Sequence, residues 1–365
     1  MGDSADGLYL GLISGTSMDG VDAALIERTG HSIRLVAAAS TPYPDTLLTA
    51  LHALIAGGDT QALYRCDVAT GEAFAAAAQA VLKRSDIKAQ AVRAIGSHGQ
   101  TVLHCPQQGF SVQIGDGARI AQQTGIATVC DFRRADLAAG GEGAPLAPIF
   151  HQAVFAGDEA RAVLNLGGIA NLTLLLPGAD TRAFDVGPAN TLLDALVRET
   201  SGEHYDRDGA LAAQGTTDTA LLDDLLADPW FAAPPPKSTG PEYFHLVWVR
   251  AHARARALAP ADLAATLAEL TAASVAQALR EHGAGTRTLY VCGGGVHNPE
   301  LLRRLKARLP DVELASTVTL GVDPDYVEAM CFAWLAGETL AARPGNLPAV
   351  TGARRAVVLG ALHRP

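Results

Sequence analysis

Asp185 is the residue whose neighbours best equip it to move a proton. It closes a short apolar run in FDVGPANTLLD, with Gly187, Pro188 and Asn190 forming a turn and a helix beginning near Thr191. A carboxylate at such a strand end can serve as general base or metal ligand. The N–H groups of the following helix start can receive a phosphate. Asp194, one turn further on, reads as a first-turn charge or a salt-bridge partner.

A second chemistry-bearing segment is Leu8–Glu27, LYLGLISGTSMDGVDAALIE. Two apolar strands flank a tip containing Gly15, Thr16, Ser17, Met18, Asp19, Gly20 and, at the start of the return strand, Val21 and Asp22. A tip rich in N–H groups, hydroxyls and glycine can wrap an anion such as a terminal phosphate. Asp19 and Asp22 would then hold a metal. The alternative is an ordinary hairpin with a solvated turn. Gly96–Gln100, GSHGQ, reads as lying just past a strand end, where open α/β sheets bind ligands. His98 there is a base, a substrate contact, or a ring hydrogen-bonded to its own turn. DFRRADLAAGGEGAP, Asp131–Pro145, carries adjacent Arg133 and Arg134, of which one faces a cleft. Val291–Asn298, VCGGGVHN, lets a flat ring or phosphate approach Gly293, Gly294 and Gly295 closely. Neither GxGxxG nor the lysine motif of a P-loop occurs.

The elements that must position these residues alternate. Strands are expected at Ser32–Ala39, Val92–Ser97, Gly109–Gly115, Ile126–Cys130, Ala183–Asp185 and Thr288–Val291. Helices are expected at Asp45–Ala56, Gln61–Lys83, Asp116–Thr124, Ala259–His282, Pro299–Arg308 and Tyr326–Ala342. This alternation is that of an α/β fold. Arg161–Leu176, RAVLNLGGIANLTLLL, echoes the opening hairpin, with Gly167, Gly168 and Asn171 at or beside its tip. Two units of similar topology facing one cleft follow from that repeat.

The chain has 365 residues, enough for two domains, and 48% are hydrophobic, enough for a large core. The formal net charge of −10 argues against a nucleic-acid surface. Five cysteines without a CxxC pair point to a reduced, cytoplasmic setting and away from zinc. No signal peptide or membrane span is evident.

Taken in order, GTSMDGVD, GSHGQT, DFRRADLAAGG, LNLGGIANLT, FDVGPAN, PPKSTG and CGGGVHN resemble the anhydro-N-acetylmuramic acid kinase family over almost the whole chain. The resemblance implies two RNase-H-like, actin-like ATPase domains flanking a nucleotide cleft. One comprises 1–131 with about 343–365, the other 132–342. It implies phosphorylation of 1,6-anhydro-N-acetylmuramic acid by ATP while water opens the ring, a step of cell-wall recycling. Gly15–Asp22 would form the ATP turn, with Gly167, Gly168, Asn171, Gly187, Asn190 and Gly293–Gly295 also on the nucleotide. Asp19 and Asp22 would hold Mg²⁺. Asp185 would activate the water and Glu328 would lie near the sugar, as would Ser97, His98, Gln100 and Arg133. A cytoplasmic homodimer, touching neither nucleic acid nor membrane, is expected. The chain departs from the family pattern at Pro241, where Arg is expected, and at Glu142, where Gln is expected. The alternatives are a simple sugar or acid kinase without ring hydrolysis, and a nucleotide-driven binding module.

Overall fold

The computed structural model describes residues 5–15, 18, 20–30 and 32–365. Thr16, Ser17 and Asp19 of the proposed phosphate turn lie outside the described residues. The chain divides into two compact units. The first runs to Val154 and resumes at Leu320–Pro365, and the second is Phe155–Thr319. The divisions therefore fall at 154 and 320, where the sequence suggested 131 and 342. The physical reason is packing: Val327–Leu340 lies on the first unit's sheet, and Phe150, just before the second unit, lies against Trp334 of that helix at 6.2 Å between centroids.

In the first unit, β1 (Gly7–Ser14), β2 (Gly20–Thr29) and β3 (Ser32–Pro42) form an antiparallel meander. β4 (Val92–Cys105) runs parallel to β1, and β6 (Thr128–Cys130) runs parallel to β4. Between them in sequence, β5 (Phe110–Ile114) folds back on the second half of β4. The C-terminal strand Ala361–His363 pairs with β6. β4 is longer than the expected Val92–Ser97, so GSHGQT lies inside the strand rather than beyond it. Gly99, at φ 79°, permits the bend that lets β4 change partners, and a Cβ there would stand 2.5 Å from the Ile114 carbonyl oxygen.

In the second unit, β7 (Arg161–Leu166), β8 (Ile169–Leu175) and β9 (Arg182–Pro188) again form an antiparallel meander. β10 (Thr288–Cys292) is parallel to β7, and β11 (Glu313–Ser316) to β10. The order β3-β2-β1-β4-β6 is thus repeated as β9-β8-β7-β10-β11, with every pairing of the same sense. The hairpin echo read from the sequence is a duplication of the whole sheet plan.

Each sheet gains its core from apolar alternation. In the first unit Leu10, Leu12, Val21, Leu25 and Ile95 pack with Phe74 and Val81 of the helix Thr60–Ser85. In the second, Leu164, Leu172 and Leu289 pack with Val275 and Leu279 of the helix Pro260–His282. The first sheet is also covered by the helix Val327–Leu340, which comes down on the register pair Gly11 and Gly96. A Cβ at Gly11 would lie 1.8 Å from the Ala329 carbonyl oxygen, and one at Gly96 would lie 1.9 Å from that of Phe332. Helix backbone and sheet backbone are in direct contact there.

Gly96→Ala is expected to cost about 3 kcal/mol, the upper end of the overpacking range, seen as a lowered urea midpoint. Gly294→Ala, where a Cβ meets no atom within 4 Å, should leave the midpoint in place.

Candidate active site

In the first unit the side chains gather where β1 and β4 meet the start of the helix Val327–Leu340. Glu328 stands in that helix's first turn, where a carboxylate suits the helix dipole. Its side chain is exposed, yet the protein packed around it raises its pKa. Arg133 opposes that rise and Asp22 adds to it. One turn on, Phe332 lies against the His98 ring at 4.7 Å between centroids and against Phe132 at 5.4 Å.

His98 is buried, and both its ring nitrogens are engaged. Nδ1–H donates to the Gly99 carbonyl at 2.9 Å, so Nε2 is an acceptor. Arg133 donates to that Nε2 from Nε at 3.1 Å and from Nη2 at 2.8 Å. Burial, with Arg133 second, holds the His98 pKa well below the ordinary histidine value. In this arrangement the His98 ring orients Arg133. The guanidinium is fixed further by Nη1 donating to the Gly143 carbonyl at 2.7 Å. Burial lowers the Arg133 pKa to about 10, with Glu328 acting the other way, and Arg133 remains a cation at neutral pH.

The loop carrying Gly143 hangs on a buried carboxylate. Asp136, 0% exposed, accepts from Gly143 N–H at 2.8 Å, Asn346 Nδ2 at 2.6 Å and Thr351 Oγ1 at 2.7 Å. Glu142 adds a backbone N–H to the Thr351 carbonyl at 2.8 Å, and its side chain is exposed. The departure from Gln at this position thus leaves the loop's anchoring intact.

Other expectations in this unit shift. Ser97 is 0% exposed and lies across from Leu12, and among the described residues its hydroxyl has no protein partner. Gln100 is also enclosed and donates to the Gly15 carbonyl at 3.3 Å, bracing the hairpin tip. Val21 is a core residue, which leaves only its backbone for a phosphate. Met18 N–H donates to the Gly15 carbonyl at 3.2 Å, closing the turn. Gly20 lies where a Cβ would meet the Thr41 carbonyl oxygen at 2.4 Å. Asp22 accepts from the Ser40 hydroxyl. Among the described residues no three His, Cys, Asp or Glu side chains converge as a metal cage.

In the second unit Asn165 on β7, Asn171 on β8 and Asp185 on β9 are consecutive cross-strand partners and form a polar row. Asp185 is half-buried. Desolvation pushes its carboxyl up to about 6, against the pull of the Thr239 N–H, which donates to Oδ2 at 2.9 Å. Asn165 was missed in the sequence; its signal was a lone amide in the otherwise apolar run VLNL.

The hairpin tip and helix start lock together. Gly167 accepts from Asn190 N–H at 3.0 Å, and Gly168 accepts from Ala189 and Thr191 N–H at 2.9 and 3.1 Å. Asn190 Nδ2 donates to the Leu166 carbonyl at 2.9 Å. The N–H groups of Ala189, Asn190 and Thr191 at this helix start are therefore bonded to the hairpin tip. Gly187, at φ 140°, allows Phe231 to approach to 2.9 Å of where a Cβ would stand. Gly293 and Gly295 seat the CGGG turn against Asn165 and Leu166, whereas Gly294 faces open space. Beside Gly294 is a cavity of about 430 Å³ lined also by Asn190, Asp194, Tyr205, Asp206 and His297. Burial pushes Asp194 up to about 6, opposed by Arg198 and reinforced by Asp206.

Two units that repeat one meander-plus-parallel sheet plan, each with a glycine-bearing hairpin, give the chain an actin-like fold. A family model described as anhydro-N-acetylmuramic acid kinase matches residues 7–365. The chain is 54% identical over 365 residues to the anhydro-N-acetylmuramic acid kinase of Xanthomonas campestris pv. campestris (strain 8004), covering 98% of this chain and 97% of that protein. It is 55% identical to that of Xanthomonas axonopodis pv. citri, covering 98% of each. It is 50% identical to that of Xylella fastidiosa, covering 98% and 96%. The chain belongs to the anhydro-N-acetylmuramic acid kinase family.

Asp136→Ala would strand three buried donors, at a cost of about 3 kcal/mol. Hydrogen exchange at residues 140–143 should quicken by more than tenfold while the second unit's β7–β9 amides keep their protection.

Proposed function

We propose that this chain transfers the γ-phosphoryl group of ATP to O6 of 1,6-anhydro-N-acetylmuramic acid as water opens the anhydro ring. The products are N-acetylmuramic acid 6-phosphate and ADP, and the reaction serves cell-wall recycling. The observation that carries the proposal is the family match over residues 7–365, and Asp185 gives it a chemical centre. A carboxyl whose pKa stands near 6 is ionised at neutral pH and basic enough to take a proton from water. The water oxygen then bonds to the anomeric carbon, the bond from that carbon to O6 breaks, and O6 attacks the γ-phosphorus with ADP leaving.

Phosphoryl transfer otherwise requires mostly positioning and charge neutralisation, and each unit by itself offers groups suited to that. Arg133, a cation whose hydrogen bonds go to neutral acceptors, suits the carboxylate that a muramic acid carries. Glu328 is assigned to the sugar's hydroxyl side. Gly294 and the cavity beside it are assigned to the nucleoside, and the tips at Gly15–Asp22 and Gly167–Gly168 to the phosphates. Mg²⁺ neutralises phosphate charge when bound. Asp22, with Asp19, would offer the one or two carboxylates that such an ion takes beside phosphates and waters. The net charge of −10 supports a small-molecule partner over a polyanion. We further assign the protein to the cytoplasm as a homodimer, for which light scattering should give twice the chain mass.

Mass spectrometry of the product should show one phosphate and one water added to the anhydro sugar. Turnover of open-ring N-acetylmuramic acid alone would reject ring opening. Asp185→Asn should lower kcat by about 10²–10⁴-fold with ATP affinity within twofold. In the unsubstituted protein kcat should fall about tenfold per pH unit below about 6, as Asp185 takes up its proton.

A further inference from the structure

The three residues Lys237–Thr239 sit beside Asp185 in a way that ordinary loop packing does not require. Asp185 N–H donates to the Lys237 carbonyl at 3.0 Å, and Thr239 N–H donates back to Asp185 Oδ2 at 2.9 Å. A parallel strand would make this pair of bonds to one residue, with its main-chain oxygen as second acceptor. Here the side-chain oxygen takes that place, so the segment grips the carboxyl group itself.

The grip is anchored from behind. Lys237 Nζ donates to the Phe231 carbonyl at 2.9 Å and to the Trp230 carbonyl at 3.2 Å, and lies 4.3 Å from the Trp230 ring centroid. Those carbonyls belong to the short helix Pro229–Ala232, itself capped by Asp228, which accepts from Trp230 N–H at 2.9 Å. Asp228 also accepts from Tyr243 OH and Trp248 Nε1, each at 2.8 Å. The ammonium thus plugs the segment into a braced aromatic platform.

We infer that Lys237 is a positioning residue for the Asp185 base: its ammonium holds the Lys237–Thr239 segment so that one backbone N–H stays on Asp185 Oδ2. The inference rests on the reading of Asp185 as base and goes beyond it by naming what aims that base. The Thr239 N–H favours the ionised carboxylate and opposes the desolvation that raises it. Among the described residues no charged side chain acts on the Asp185 carboxyl. Its partner on β8 is the neutral Asn171, and the Lys237 charge is turned to the Trp230 and Phe231 carbonyls. One N–H is therefore the specific stabiliser of the charged form, and losing it raises the pKa.

The test is Lys237→Met, which keeps the stem and removes the donors, compared with Lys237→Arg, which retains a cation able to reach both carbonyls. Lys237→Met should lower kcat by about 10²-fold, as a slight misplacement of a reacting group does, with KM for ATP within twofold. The acidic limb of its kcat–pH profile should move about one unit to higher pH, and Lys237→Arg should restore most of both. Should Lys237→Met not fold, Lys237→Gln, which removes the charge and keeps a shorter two-donor amide, is read in the same way with a smaller expected shift. An acidic limb that stays in place with kcat within threefold of the parent overturns the inference. Asp185→Asn separates the two ideas: near-normal turnover there removes the base itself, whereas an inactive Asp185→Asn beside an unshifted Lys237→Met removes only the anchor.

Discussion

The first unit depends on one close approach, the backbone of the helix Val327–Leu340 lying directly on the backbones of β1 and β4 at Gly11 and Gly96. With no Cβ on either strand, the helix descends to main-chain contact and brings a full turn of functional side chains with it. Glu328 is carried to the strand ends, and Phe332 is carried onto the His98 ring. His98 in turn presents a neutral acceptor to Arg133. A chain of causes therefore runs from two missing methyl groups to the aim of a guanidinium.

The two units tune their charged groups by opposite means. Arg133 gives its hydrogen bonds to neutral acceptors, the His98 nitrogen and the Gly143 carbonyl, while Glu328 favours its charged form through space. Asp185 is partly withdrawn from water and returned only one N–H donor, which leaves it a stronger base than an exposed carboxylate. A bidentate ion pair at either site would have neutralised the very property the site displays.

Much of this was legible in the sequence, and the reasons differ by feature. The duplicated hairpins showed because two strands and a Gly tip are local patterns, whereas the strand order of each sheet was not legible, because it is set by long-range pairing. Asp185 showed because a strand-end Asp before a Gly-Pro turn is also local. What stayed hidden depends on which face of a strand is covered. GSHGQT alternates in a way that reads as a loop tip, yet helices cover both faces of β4, so Ser97 and His98 are enclosed. The spent N–H groups of Ala189, Asn190 and Thr191 could not be foreseen, because a helix start looks the same whether its donors face a ligand or a neighbouring hairpin. Lys237 was hidden for a related reason: its acceptors are backbone carbonyls, which carry no residue code.

The first unit is discontinuous in the chain, and this orders events during synthesis. Its sheet is begun by the earliest residues, but the Gly11–Gly96 seat waits for residues 327–340, and Asp136 waits for Asn346 and Thr351. β6 waits still longer, for Ala361–His363. The second unit has all of its own strands and helices within 155–319. On the ribosome it can therefore complete its core first, while the meander of β1–β3 keeps an unfinished apolar face until residues 327–340 have emerged. The part of the chain made first is the part that matures last, and a chaperone attending the nascent protein would find its work at the N-terminus.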